Sequence, residues 1–362
     1  MSQEVHVVVV GGGQAGLAVG FYLRRAGLTP GTDFVILDAA EAPGGSWQQM
    51  WDGLRLFSPA TYSSLPGWMM PPWDDDRRGF PPRTHVVEYL AQYESRYELD
   101  VQRPHVVRAI MRDKSADRLV VHADRVDMTA KFVVSATGSW TRPFWPTYPG
   151  ARDFEGRQLH TAQYRIPDEF EGQRVIIVGG GNSGAQILAE VSKTADTTWV
   201  TPRAPRFLPD DVDGRVLFAA ATARIEALRQ GRAHSGVGGL GDIVMVASVR
   251  DARARGQLNA RPMFARLTRR GAAWHDGTAI DADAIIWCTG FRPELRHLQP
   301  LHFRDAGGRL PIDASTETRA QGEARLHLLG YGDWTGPASA TLLGVGRSAR
   351  AASNEIAGRP RP

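Results

Sequence analysis

Residues 6–16 read HVVVVGGGQAG, and residues 175–184 read VIIVGGGNSG. Each is a short β-branched run that stops at glycine, as a buried parallel strand does on entering a turn. Gly11, Gly13 and Gly16 stand on the G-x-G-x-x-G spacing, and Gly179, Gly181 and Gly184 repeat it. The first glycine of such a set makes the tight turn. The second lets backbone approach a pyrophosphate, and the third lets the next helix pack on the strand. The helix N-terminus then faces the phosphates. An ordinary βαβ turn can share this spacing, so the surrounding residues decide.

After the first set, Leu17, Val19, Phe21 and Leu23 predict an amphipathic helix ending near Gly27. A second strand, Phe34 to Leu37, runs into Asp38. An acid roughly 20 residues past the glycines can accept both hydroxyls of an adenosine ribose. Residues 132–138 (FVVSATG) and 284–290 (AIIWCTG) then supply one apolar strand ending in Thr-Gly for each copy. Two paired motifs in the same order predict two dinucleotide sites.

The copies differ at the ribose. The second helix is expected from about Gly184 to Val191 and its next strand from Thr197 to Thr201, where the chain reads Thr201-Pro202-Arg203 with no acid. A guanidinium there suits the 2′-phosphate of NADP. A solvated loop arginine is the alternative. Asp38 suits the unphosphorylated ribose of FAD, and a flavin beside a nicotinamide accepts its hydride.

A chain of 362 residues can bury two cores. Its net charge of +4 is spread along the chain, without the clustered basic stripe of a nucleic-acid module. The acidic and basic run Asp74 to Arg78 reads as a solvated loop. Apolar runs are of strand length, so no membrane span is expected. No signal peptide is visible, and a cytoplasmic location is expected. A single cysteine, Cys288, excludes an internal disulfide or C-x-x-C centre and reads as a small buried residue. No metal-ligand cluster or nucleophilic triad stands out.

Trp47 to Pro82 is dense in aromatics and prolines. It reads either as a lining around a ring system or as loop packing over the core. A helix through Val86, Leu90 and Tyr97 is expected with Thr84 as N-cap. Strands are expected at His105–Ile110, Leu119–His122, Thr129–Ser135 and Leu326–Gly330, with a small-residue helix over Ala338–Ala352. Phe207–Val216 and Gly236–Gly241 carry no interpretable motif, and the terminal residues are expected to fray.

Phe154, Gly156, His160 and Tyr164 match Phe-x-Gly-x-x-x-His-x-x-x-aromatic, and Gly44, Gly45 and Trp47 match Gly-Gly-x-Trp. With the two glycine sets and the Thr-Gly ends, the chain resembles the class B flavoprotein monooxygenases over essentially its whole length. It is most similar to the short bacterial flavin-containing monooxygenases, some of which use NADH as well as NADPH. Tyr164, where Baeyer–Villiger enzymes have Trp, favours that subgroup.

The resemblance implies an α/β fold of two Rossmann-like domains. An FAD domain would comprise residues 1–165 and 289–362, with an NAD(P)H domain at 166–288 between its parts. It implies a C4a-hydroperoxyflavin that oxygenates a soft nucleophile such as a sulfide or amine, with ketones a side activity, and a homodimer. Molecular oxygen and a small-molecule substrate would be the partners. Gly11, Gly13, Gln14, Ala15 and Gly16 would hold the FAD pyrophosphate and Asp38 its ribose. Trp47 would meet the flavin edge, Gly332 and Asp333 the ribityl chain, and Thr341 and Leu342 the pyrimidine end. Gly45, Ser46, Phe57, Val107, Ala136, Thr137 and Gly138 join this lining. Gly179, Gly181, Asn182, Ser183 and Gly184, with Arg203, Thr289 and Gly290, would serve NADPH, or NADH. His160 would link the domains rather than do chemistry. Many relatives place Asn-x-Pro beside the isoalloxazine; here the nearest match is Ser64-Leu65-Pro66, so Ser64 is the catalytic candidate and more uncoupled peroxide is expected. An NAD(P)H-dependent flavoprotein reductase is the rival reading, since it needs the same two sites without oxygen.

Overall fold

The computed structural model describes residues 3–73, 80–113, 117–217, 219, 223, 242–303, 309–313 and 315–358. The run Asp74–Arg78, the Gly236–Gly241 stretch and the last four residues lie outside these. Elements are numbered in chain order.

The first sheet is built around β1 (Gln3–Val10), parallel to β2 (Phe34–Leu37) on one side and β6 (Asp127–Ser135) on the other. β3 (Val101–Gln102) extends it beyond β2. β15 (Leu326–Leu328) returns late in the chain to pair with the end of β6. β4 (Val107–Arg112) and β5 (Leu119–Ala123) form an antiparallel meander on the start of β6. Both faces are covered, which is why the valines run unbroken. Val7 and Val9 pack with α1 (Gln14–Arg25), α2 (Arg83–Arg96) and α5 (Val345–Ile356). Val8 and Val10 face a second cluster with Ile110, Leu119 and Leu298.

The second sheet is all parallel, in the order β10 (Ala260–Pro262), β9 (Asp196–Thr201), β8 (Arg174–Val178), β14 (Ala284–Trp287), β7 (Arg157–His160). α3 (Asn182–Val191) and α4 (Ala247–Ala254) pack on one face. The antiparallel β11 (Arg266–Thr268), β12 (Gly271–Ala273) and β13 (Ala279–Asp281) cover the other. β7 pairs with β14, so this sheet begins upstream of the expected boundary at residue 166.

The two crossovers between the sheets pair with each other. Phe144 N–H donates to Gly290 O, Arg292 N–H to Arg142 O and Glu294 N–H to Gly138 O, each at 2.9 Å. Trp140 stacks on Phe291 with centroids 4.9 Å apart. Both Thr-Gly ends are thereby locked into one antiparallel joint.

Three local expectations are corrected. Thr84 is not the N-cap: α2 begins at Arg83 behind Pro82, whose fixed φ starts a helix without a side-chain cap. The terminal helix begins at Val345 rather than Ala338, because Ala338 sits at φ +57 and the Thr341 hydroxyl bonds Ala338 O, closing a turn first. The strand foreseen from His105 starts at Val107, since the His105 N–H is taken by Asp38 O.

Two histidines lie inside the first body. His297 bonds the Ser135 hydroxyl, and its imidazole is pushed down to about 4 by burial. His327 bonds Thr318 and is pushed down to about 3, again by burial. Both native values lie below the unfolded value of about 6.5, so the unfolded chain binds these protons first. Stability is therefore complete above about pH 6.5 and falls with acidification, by about 1.4 kcal/mol per pH unit for each histidine. Thermal unfolding across this range should show Tm dropping below that pH. A Tm that stays level down to pH 5 would contradict the burial of neutral imidazoles.

Candidate functional site

At the end of β1, Gly11 turns the chain with φ +109 while its N–H donates to Leu37 O at 2.8 Å. A Cβ on Gly11 would stand 2.5 Å from Ala136 O, and one on Gly16 only 1.8 Å from Gly11 O. The second unit repeats both contacts. A Cβ on Gly179 would stand 2.3 Å from Cys288 O, and one on Gly184 2.2 Å from Gly179 O. The outer glycines of each loop thus hold backbone against backbone.

The middle glycines face space. A Cβ on Gly13 would meet nothing nearer than Gly45 Cα at 3.8 Å, and one on Gly181 would meet nothing within 4 Å. The first turns of α1 and α3 carry no acidic residue and no side-chain cap. Their leading N–H groups lack partners within the helix and carry the positive end of its dipole. Two open loops before two uncapped helices fit two pyrophosphates. At the strand ends flanking these loops, a Cβ on Gly138, Gly290 or Gly332 would likewise meet nothing within 4 Å.

Around the first loop the structure gathers most of the expected residues. The Gln14 side chain donates from Nε2 to Ala340 O at 2.6 Å and accepts from Trp47 Nε1 at 3.2 Å. It therefore ties the helical turn Gly45–Gln49, with Ser46 and Trp47, to the stretch holding Thr341 and Leu342. Gly45 packs on Gly13 Cα, and Ala15 lies under Gly330. Asp333 accepts from Ala338 N–H, holding the same stretch from its other end. Thr137 donates its hydroxyl to Glu294 O at 2.6 Å, and Thr289 donates to Phe144 O, so both threonines brace the crossovers. Val107 is half-buried at the start of β4.

Arg103 is a residue that sequence reading missed. Its Nε donates to Asp38 Oδ2 at 3.0 Å while its two terminal nitrogens grip Glu94 of α2 at 2.6 and 2.8 Å. All three side chains are largely buried. Arg103 thereby holds the Asp38 carboxylate aimed beside Gly12, whose Cβ would stand 2.8 Å from Oδ2. No local pattern marks this arginine, because Asp38 lies 65 residues away and Glu94 reaches it only through the placing of α2.

Two expected roles change. The Asn182 side chain is committed on both sides, donating to Asp242 O at 3.1 Å and accepting from Val244 N–H at 2.8 Å. Only its backbone N–H remains for a phosphate. Ser64 donates its one proton to Ala60 O at 3.0 Å and accepts from Met70 N–H at 2.8 Å. It is a turn-locking residue without a proton left to offer. Phe57 meets the other body: its carbonyl accepts from Gly214 N–H at 2.8 Å.

Arg203 is exposed just after β9, and its carbonyl lies 3.8 Å from where a Gly180 Cβ would stand. It therefore borders the second loop. His160 sits at the joint between crossovers, fully buried. Ala162 N–H donates to its Nδ1 at 3.1 Å, which leaves Nε2 to donate to Gly290 O at 3.0 Å. Burial lowers its pKa, so the neutral ring is kept. Cys288 lies against Gly179, and burial pushes its thiol up to about 12, far from a reactive thiolate. Among the described residues, no group of three or more His, Cys, Asp or Glu could hold a metal ion, and no helix is long and apolar enough to cross a membrane.

Comparison with known proteins agrees with this geometry. The family described as pyridine nucleotide-disulphide oxidoreductase matches residues 8–238. A solved flavin-containing monooxygenase from Stenotrophomonas maltophilia is 48% identical, with a TM-score of 0.87 over 98% of this chain and 99% of its own. A Bacillus subtilis protein called uncharacterized oxidoreductase CzcO is 28% identical over 94% of this chain and 96% of its own length. A Baeyer-Villiger monooxygenase from Streptomyces coelicolor is 32% identical over 62% of this chain and 43% of its own.

Arg103→Met should leave two buried carboxylates without their counter-charge. The expected cost is about 3–5 kcal/mol of stability. Titration of the apoprotein with FAD, followed by flavin fluorescence, should show affinity weakened by about tenfold or more. Unchanged affinity would remove Arg103 from the ribose pocket.

Proposed function

The chain belongs to the pyridine nucleotide-disulphide oxidoreductase family and is a flavoprotein oxidoreductase, and from that premise we propose that it is an NADPH-using flavin monooxygenase acting on soft nucleophiles such as sulfides or amines. The observation that carries this reading is the pair of open glycine loops in two sheets tied together by the crossover joint. The lone Cys288, half-buried and with no second cysteine to pair, speaks against the dithiol chemistry of disulfide reductases. The likeness to the Stenotrophomonas monooxygenase along nearly the whole of both chains supports oxygen transfer over reduction alone.

In this reading the first loop holds FAD and the second the nicotinamide dinucleotide. A bound flavin supplies hydride acceptance from the nicotinamide and delivery of one oxygen atom to the substrate. The protein's part is positional. The N–H groups opening α1 and α3 hold the two pyrophosphates, and Asp38, held by Arg103, takes the adenosine ribose. Gln14 fixes Trp47 against the stretch before Thr341, closing the flavin end. His160, held neutral, keeps the crossover joint in register without exchanging a proton. Since the Ser64 proton serves Ala60 O, that position offers no donor to the oxygenating end, and water exclusion falls to the packed aromatic residues and the bound nicotinamide.

Anaerobic NADPH should bleach the bound flavin. On mixing with air, a sulfide should raise oxygen uptake and yield its sulfoxide, with measurable hydrogen peroxide per NADPH when the sulfide is left out. Flavin that reoxidises at the same rate with and without substrate, giving only peroxide, would move the assignment to a reductase.

Arg203 supports NADPH over NADH. A charge-assisted bond to the 2′-phosphate contributes about 1.5–3 kcal/mol, so Arg203→Ala should raise the Michaelis constant for NADPH by about tenfold or more. That for NADH should scarcely move. Equal effects on both coenzymes would remove Arg203 from the phosphate site.

A further inference from the structure

Glu190 occupies the last turn of α3, yet both of its carboxylate oxygens are used elsewhere. Oε1 accepts from Trp51 Nε1 at 3.1 Å, and Oε2 accepts from Tyr164 OH at 2.9 Å. Trp51 belongs to the chain that follows the Gly45–Gln49 turn of the first body, but its ring is buried in the core of the second, with Tyr164, Ile187 and Val191. The backbone continues the docking: Asp52 N–H donates to Arg165 O at 3.1 Å, and Asp52 is itself held by Arg83 of α2 at 2.6 Å. Gly53 leaves the room this requires, since a Cβ there would stand 2.2 Å from Glu190 Oε1. The carboxyl is lifted above its ordinary range by burial, which the two donated bonds and Lys193 oppose and Asp52 reinforces. Such a half-buried carboxylate is costly unless its oxygens are satisfied, and here both are.

The position of these residues gives the contact its meaning. α3 carries the second glycine loop at its N-terminus and Glu190 eight residues further on, about 12 Å along the helix. The Trp51 segment starts from the turn that carries Trp47 and touches Gln14 at the first loop. One short, stiff path therefore runs from one cofactor cradle to the other, with the Glu190 carboxylate at its centre. The crossover joint ties the bodies together at one place; this contact ties them at another.

We propose that Glu190 is a positioning residue that, through Trp51 and Tyr164, sets the placement of the nicotinamide over the flavin for hydride transfer. The inference rests on the functional reading above. A carboxylate accepts both donors. Glutamine can reproduce the pattern, accepting from Trp51 and donating to the Tyr164 oxygen, whereas alanine cannot.

The test compares the FAD-loaded protein with its Glu190→Ala, Glu190→Gln and Trp51→Phe variants. Anaerobic reduction is followed at rising NADPH, giving the limiting rate and the NADPH dissociation constant separately. Hydrogen–deuterium exchange of the peptide covering residues 50–56 is measured without NADPH. A misplacement near 1 Å costs up to about a hundredfold, so Glu190→Ala should lower the limiting rate by about ten- to a hundredfold. The dissociation constant should stay within about twofold, the mark of lost orientation rather than lost binding. Exchange in 50–56 should rise in Glu190→Ala and Trp51→Phe, while Glu190→Gln should resemble the parent in both measurements. Parental exchange and parental limiting rate in Glu190→Ala would overturn the proposal. So would a loss in Glu190→Ala that appears wholly in NADPH binding or FAD content. Should Glu190→Ala not fold, Trp51→Phe decides by the same two readouts. If neither NADPH nor NADH reduces the parent flavin, the functional reading fails; a normal exchange profile in the variants would then separately defeat the docking role.

Discussion

The structure depends on backbone lying directly on backbone at two places. The Gly11 carbonyl occupies the space where Gly16 would carry a side chain, and the Gly179 carbonyl does the same to Gly184. Only there can a helix start so close to the end of its strand that its unpaired N–H groups face outward as an anion site. Each of these turns also rests on the carbonyl just past the end of a later strand, that of Ala136 or Cys288. The turn thereby forces the sheet order: β6 must lie beside β1, and β14 beside β8.

Two such units must next be tied to each other, and hydrogen bonds cross between them. The crossovers pair through main-chain hydrogen bonds that any side chains could make. Aromatic residues then specify the joint: Trp140 on Phe291, and His160 against both Phe291 and Trp145. On another side, a tryptophan of the first body completes the core of the second. A relation between domains built this way is set by direction as much as by area, because hydrogen bonds weaken steeply with misalignment.

Charge is handled in the same manner. Arg103 serves Asp38 and Glu94 from one buried guanidinium, and its planar fork makes the paired grip on Glu94 while Nε remains for Asp38. Lysine could not do both. Surface pairs such as Arg269 with Glu155 are of the kind worth little, whereas this buried set fixes the Asp38 carboxylate beside Gly12.

The sequence by itself determined the two strand–glycine–helix units, the β-strand at Phe34–Leu37 and the order of the closing strands. These follow from local rules: period, turn chemistry and the steric need for glycine act within a few residues. The tertiary structure alone decided what distant side chains do. The resemblance put Asn182 on the phosphates and Ser64 in place of an asparagine, but segment 242–244 claims the Asn182 amide and a local turn claims the Ser64 proton. No motif marks Arg103, Trp51 or Glu190: Arg103 reaches Asp38 across 65 residues of chain, and Glu190 reaches Trp51 across 139 and Tyr164 across 26. A polar group can satisfy only as many partners as it has lone pairs and protons, and which partners reach it first is settled by packing.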